Sequence, residues 1–277
     1  MALTADSAFP PPPPQPPLEI GGQRIDWGLR DVIEGIAWFV GLFVAGQIAL
    51  IPAIVATSDK SDATYATAFV TGALVEVAIA FVALRLTFMR YGGGLERLGL
   101  KPPGWETLGW AAAAFVTAFI VSVIYGIIID LFNLDFLKTK CAEQIPSGVR
   151  DERALLAMAS VVVIVFAPIC EELFFRGFMF PGIARKWGVP AGIVLSGVLF
   201  GGAHLIPKSF IPIAGAGMVF AFAYWRSGNI FSNMLAHLAF NSVSIAFIAG
   251  GSCDQSVAPS LPALLHPLAA TIHLVPL

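Results

Sequence analysis

The chain has 277 residues, of which 57% are hydrophobic and only 12% charged, and its mean hydropathy is +0.81. Soluble domains carry about 25% charged residues, so this composition argues against a soluble domain and for a membrane protein. A net charge of −2 gives no basis for nucleic-acid binding, and three cysteines without Cys-x-x-Cys or His-Glu-x-x-His spacing exclude a disulfide framework and the common zinc motifs.

Residues 1–30 read as a disordered tail whose run from Pro10 to Pro14, then Pro16 and Pro17, favours polyproline II. No basic stretch precedes an apolar one there, so a signal peptide is not expected. Residues 31–153 read as the N-terminal transmembrane helices and a long loop, with apolar spans expected over about 32–56, 64–84 and 105–129. Glu76 falls near the middle of the second span and reads as a carboxyl satisfied against a neighbouring helix, with membership of a polar cavity as the alternative. Residues 154–250 hold the remaining well-formed spans, over about 154–171, 189–206, 210–225 and 229–249. The apolar segment 251–277 is broken by Pro262 and Pro267 and is either an eighth span or an interfacial stretch. The fold class is therefore all-α, a polytopic transmembrane bundle of seven or eight spans.

Lys and Arg placement sets the orientation. Arg24, Arg30, Arg85, Arg90, Arg97, Lys101, Arg185, Lys186 and Arg226 fall on the side of the N-terminus. Lys60, Lys138, Lys140, Arg150, Arg153 and Lys208 fall on the other, which favours a cytoplasmic N-terminus. Cys141 and Cys253 then share the non-cytoplasmic face, either as a disulfide or as free thiols. Cys170 reads as packing.

The most informative stretch is Cys170-Glu171-Glu172-Leu173-Phe174-Phe175-Arg176, which follows an apolar run, 154–169, free of charge. Ionised side chains at such depth are costly and usually functional. If the helix continues, Glu172 and Arg176 stand at i and i+4 and can pair, while Glu171 points about 100° away and is left for chemistry. Two later spans carry Phe200-Gly201-Gly202-Ala203-His204 and His237-Leu238-Ala239-Phe240-Asn241, each pair again at i, i+4. Phe200 reads as packing beside the site, and Gly201 and Gly202 as places where a helix or a substrate backbone approaches closely. A buried Glu beside a His can activate a water for peptide hydrolysis, and the His237 and Asn241 side chains offer donors to an oxyanion. His266 and His273 in the tail read as structural.

Glu-Glu-x-x-x-Arg, then Phe-x-x-x-His, then His-x-x-x-Asn, with Arg226-Ser227-Gly228-Asn229-Ile230 ahead of the third motif, resembles the ordered pattern of the CPBP family. These are the CAAX-prenyl-endopeptidase and bacteriocin-processing (Abi-type) intramembrane proteases, and the likeness spans roughly residues 155–250. The resemblance implies an intramembrane endopeptidase in which Glu171 and His204 act on the water, His237 and Asn241 on the oxyanion, and Glu172 with Arg176 holds the geometry. It implies a peptide or protein substrate, prenylated C-terminal peptides and leader peptides both fitting, with the lipid bilayer as surroundings. The cofactor stays open between none and a single zinc, whose ligands would be Glu171, His204 and His237. Two other classes fit parts of the sequence: a non-catalytic binding or self-immunity factor on the same fold, and a proton-coupled transporter using Glu76, Glu171 and the histidines. The absence of an internal repeat argues against the transporter.

Overall fold

The computed structural model describes residues 18–56, 62–138 and 145–249. The Pro-rich stretch, the eighth span and both Cys141 and Cys253 lie outside them. The described residues form a helical bundle: α1 (Leu29–Ala56), α2 (Asp62–Met89), α3 (Trp105–Leu131), the one-turn α4 (Ser147–Arg150), α5 (Arg153–Trp187), α6 (Val189–Ala203), α7 (Phe210–Ser227) and α8 (Ile230–Ala249). Five of them, α1, α2, α3, α5 and α8, are long and apolar enough to cross a membrane, and α6 is a shorter apolar helix. The chain is an integral membrane protein, and its lipid-facing residues are those expected of one: Ile33, Trp38, Val40, Ile48 and Ile51 of α1 are all exposed.

One expectation is corrected at the N-terminus. Residues 18–30, assigned to the disordered tail, are ordered. Strands β1 (Glu19–Ile20) and β2 (Gln23–Arg24) pair antiparallel through a Gly21-Gly22 turn with φ of +57° and +76°. Ile25 and Trp27 behind them are 1% and 0% exposed, and the Trp27 indole donates to the Phe178 carbonyl at 2.8 Å. A tertiary contact orders a segment too short to declare itself by periodicity.

The fourth expected span does not stop at the carboxylates. Helix α5 runs through them to Trp187, with two wider π-helical stretches, Val162–Phe166 and Glu172–Met179. Pro168 lacks an N–H and its ring crowds the carbonyl four residues back, so the widened turn just before it is where the strain is relieved. π-Helical turns gather at functional sites, and the second stretch begins on Glu172 itself. Gly188, at φ +83°, ends α5, and Pro190 opens α6, which folds the chain straight back.

Small residues let the inner helices approach. Helices α3 and α7 meet through Ala114 and Ala118 against Ala216, Phe220 and Ala223. Helices α6 and α7 meet at Gly197, Gly201 and Gly217; a Cβ at Gly197 would lie 2.8 Å from the Met218 backbone nitrogen and 2.9 Å from the Ala214 carbonyl. Neither contact can yield without moving a helix. Gly197→Ala is expected to destabilise the protein by about 1–3 kcal/mol, the usual cost of overpacking. Gly202→Ala, with nothing within 4 Å of its Cβ, is expected to leave the melting temperature unchanged. Thermal unfolding of both variants in detergent checks the contrast.

Candidate active site

Helices α5, α6 and α8 carry the motif residues, and α7 supplies part of the wall. Glu172 is 0% exposed and is the hub. Its Oε1 accepts from Arg176 Nη1 at 2.9 Å and lies 2.9 Å from His237 Nδ1; its Oε2 accepts from Asn233 Nδ2 at 3.3 Å. Arg176, 1% exposed, lies over the Phe200 ring at 4.0 Å, and its second amino group donates to the Gly217 carbonyl at 3.4 Å. Such a charge pair tolerates burial only with hydrogen bonds on both partners, and both have them.

A carboxylate only accepts, so His237 Nδ1 carries the proton in this pair, which fixes the ring and turns Nε2 toward Glu171. The Nε2 to Glu171 Oε2 distance is 3.8 Å, beyond hydrogen-bond length. Glu171 Oε2 is buried and has no hydrogen-bond partner among the described residues. Glu171 and Glu172 are thus adjacent in sequence and opposite in character. One is tied on both oxygens, and the other presents a bare oxygen to the histidine.

His204 caps the C-terminal end of α6, where its Nδ1 donates to the Phe200 carbonyl at 2.8 Å. Leu205 follows at φ +55°, a left-handed conformation that strains a branched residue and bends the chain away immediately after the histidine. The Phe200 ring touches both histidines, its centroid 4.7 Å from that of His204 and 5.7 Å from that of His237. Asn241 is turned elsewhere: its amide nitrogen donates to the Val163 carbonyl in the first π-helical stretch at 2.8 Å. As placed, that donor is engaged in holding α8 to α5.

One feature was missed by motif reading. Asn233, one helical turn before His237, shares its face and holds both Glu172 and the Phe220 carbonyl, the latter at 2.6 Å. The spacing Asn233-x-x-x-His237 was the available signal. Glu76 of α2 was singled out in the sequence as a charge within its span. Its Oε2 is buried without a partner among the described residues, so the expectation of a carboxyl satisfied by a neighbouring helix is corrected.

The zinc set left open by the sequence does not fit this arrangement. Among the described residues no three His, Cys, Asp or Glu side chains are placed to hold a metal. The Nδ1 contacts of His237 with Glu172 and of His204 with the Phe200 carbonyl leave both Nε2 atoms free, so the misfit lies in the placement of the three side chains and not in those bonds.

An apolar cavity of about 510 Å³ lies beside the cluster, between α1, α5 and α6. Phe39, Phe43, Phe174, Phe175, Met179 and Gly202 are among its lining residues. Phe175 divides it from the polar site, packing edge-on against Phe200 with centroids 5.1 Å apart.

Residues 153–243 match the family model described as Type II CAAX prenyl endopeptidase Rce1-like. An uncharacterized protein of Mycoplasma capricolum is 26% identical over 145 residues, 50% of this chain and 42% of that protein. The "Putative membrane peptidase YdiL" of Bacillus subtilis is 28% identical over 147 residues, 53% of this chain and 58% of that protein. The chain thus spans about half the length of the curated relatives it matches. No solved structure matches it. The matched segment contains all three motifs, and the resemblance to the CPBP family is borne out.

Proposed function

We propose that this CPBP-family chain is an intramembrane endopeptidase with Glu171 as the base. The observation that carries the reading is the asymmetry of the two adjacent glutamates. Glu172 is neutralised by Arg176 and orients His237, while Glu171 keeps a buried, unpartnered oxygen 3.8 Å from His237 Nε2.

In the proposed reaction a water attacks the scissile carbonyl carbon and gives its proton to Glu171. The tetrahedral oxyanion collapses with cleavage of the C–N bond, and Glu171 returns that proton to the departing amine. His204, with Nδ1–H tied to the Phe200 carbonyl, offers Nε2 as an acceptor for the second hydrogen of the water. His237 holds its Nδ1–H on Glu172, so Nε2 carries a lone pair in the neutral ring and donates to the oxyanion only as the imidazolium, with an N–H on both nitrogens. The sequence paired Asn241 with it in that role, but the Val163 contact gives Asn241 weaker support, and its proposed part is to anchor α8. Glu172 and Arg176 act by position.

The apolar cavity next to Phe175 supports a substrate bearing an apolar group, with prenylated C-terminal peptides as one class and membrane-embedded or leader segments as another. The Lys and Arg distribution supports a cytoplasmic N-terminus.

The test is cleavage of prenylated and unprenylated peptides by purified protein in lipid, read by mass spectrometry, wild type beside Glu171→Gln. Glutamine keeps the shape and removes the base. Activity is expected to fall by at least about 10²-fold, the lower end of what general-base catalysis contributes. Equal cleavage by both proteins removes Glu171 as the base, and cleavage by neither across these peptide classes overturns the reading in favour of a non-catalytic factor.

A further inference from the structure

Helices α3 and α7 leave between them an apolar groove of about 300 Å³, and none of the motif residues lines it. Trp110, Ala113 and Thr117 of α3 face Met218, Phe222 and Ala223 of α7 across it. Phe222 is 45% exposed, so the groove opens to the surroundings of the bundle, which for an integral membrane protein means the bilayer. Asn229, just past α7, donates to the Lys101 and Pro102 carbonyls just before α3, at 3.3 and 3.4 Å. The start of α3 and the end of α7 therefore share one end of the bundle. That end of the groove is closed by aromatic rings, with Trp110 on Phe222 at 6.4 Å between centroids and Phe222 on Trp225 at 5.8 Å.

Two opposite charges stand beyond the rings. Glu106 precedes Trp110 by four residues and Arg226 follows Phe222 by four, so each lies on the stripe of its helix that faces the groove. The Arg226 guanidinium carbon is 5.6 Å from the centre of the Trp225 ring. Both side chains are exposed, and neither is in an ion pair among the described residues. Their basic neighbours are committed: Arg24 and Arg97 pair with Asp26, and Lys101 donates to the Gly21 carbonyl. An acid in the first turn of α3 also suits the helix dipole, which accounts for its place along the axis but not for the cation across the groove.

We propose that this groove is a binding site for a membrane glycerophospholipid with a primary-amine headgroup. One acyl chain lies along the small and apolar side chains, the phosphate meets Arg226, and the ammonium group donates to Glu106. The site presents an apolar groove, a guanidinium and a carboxylate, and such a lipid answers each with a chain, an anion and a cation bearing N–H donors. Trp110 and Trp225 then lie level with the headgroup, where amphipathic rings are favoured. A choline headgroup carries both charges but has no N–H to donate, and an anionic headgroup without an amine sets like charge against Glu106. The site is independent of the endopeptidase reading.

Native mass spectrometry of the full chain tests it, after delipidation and exposure to equimolar phosphatidylethanolamine, phosphatidylcholine and phosphatidylglycerol with identical acyl chains. Wild type is expected to retain one phosphatidylethanolamine, in preference to the other two by about fivefold, the discrimination that one exposed ion pair supplies. Glu106→Gln is expected to abolish the preference for ethanolamine over choline, and Arg226→Gln to lower retention of all three lipids. Glu106→Lys is expected to make phosphatidylglycerol the preferred lipid, a reversal that misfolding cannot produce. Ala113→Phe, at an exposed position inside the groove, is expected to expel the lipid with both charges intact. Phosphatidylethanolamine is also expected to raise the melting temperature of wild type but not of Ala113→Phe, because a ligand bound only to the folded state stabilises it. Equal retention of the three lipids by wild type overturns the proposal in favour of unspecific surrounding lipid. An ethanolamine preference that survives Glu106→Gln, or no reversal in Glu106→Lys, removes Glu106 from the site and overturns it too. A lipid-free dimer that Ala113→Phe dissociates assigns the groove to a second copy of the chain instead.

Discussion

Arg176→Met is expected to cost about 3–5 kcal/mol of stability, because it strands a buried carboxylate. Glu172 is 0% exposed and its Oε1 sits between Arg176 Nη1 and His237 Nδ1, each at 2.9 Å. With the guanidinium gone, the carboxylate retains hydrogen bonds from Asn233 and His237 but no permanent opposite charge. The Phe200 ring loses the cation over its face as well, a contact worth about 0.5–2 kcal/mol. Adding Glu172→Gln to Arg176→Met removes the stranded charge, and the double variant is expected to recover at least about half of the lost stability. Activity is not expected to return, because an amide in place of Glu172 no longer fixes the His237 tautomer. Equilibrium unfolding in detergent, run as a double-mutant cycle with peptide cleavage alongside, measures both quantities. Additive losses in the double variant would show that Glu172 and Arg176 do not depend on one another.

The helical membrane architecture and the residues that make the site were legible for the same reason. In a chain this apolar, a charge inside a hydrophobic run needs an explanation, and 154–176 contains three such residues after a charge-free approach. The i, i+4 spacing gave the Glu172–Arg176 contact because a helix imposes it locally. What was not legible depended on neighbours distant in sequence. Nothing local says that His237 bonds Glu172 through Nδ1, since 65 residues separate them. The π-helical stretch 162–166 leaves no mark in hydrophobic period because every residue in it is apolar. Asn241 looked like a donor for the site by its spacing, yet that stretch presents the Val163 carbonyl to it. The order of residues 18–30 comes from Trp27 reaching Phe178, 151 positions away. Glu76 was noticed as a charge in a span, but only the folded structure shows that its Oε2 is buried without a hydrogen-bond partner among the described residues.

His237 offers a sharper test of how the site divides its labour, since its two ring nitrogens have different tasks and can be replaced one at a time. The amide nitrogen of an asparagine overlays Nδ1 and the amide nitrogen of a glutamine overlays Nε2. His237→Asn therefore keeps the bond to Glu172 and leaves nothing facing Glu171 and the substrate. His237→Gln keeps a donor at the Nε2 position and abandons Glu172. Loss of one oxyanion donor costs about 10²–10³ in kcat, so His237→Asn is expected to lose that much while melting close to wild type. His237→Gln is expected to retain more activity but to be less stable by about 1–3 kcal/mol, the cost of leaving one hydrogen-bonding site of a buried carboxylate unfilled. The two variants should thus change places between the cleavage assay and the unfolding curve. A histidine that served only to pack between Phe200 and Phe220, whose rings lie 5.7 and 5.3 Å from its own, would rank the variants the same way in both measurements. That common ranking would remove His237 from the chemistry and leave Glu171 to work with His204 alone.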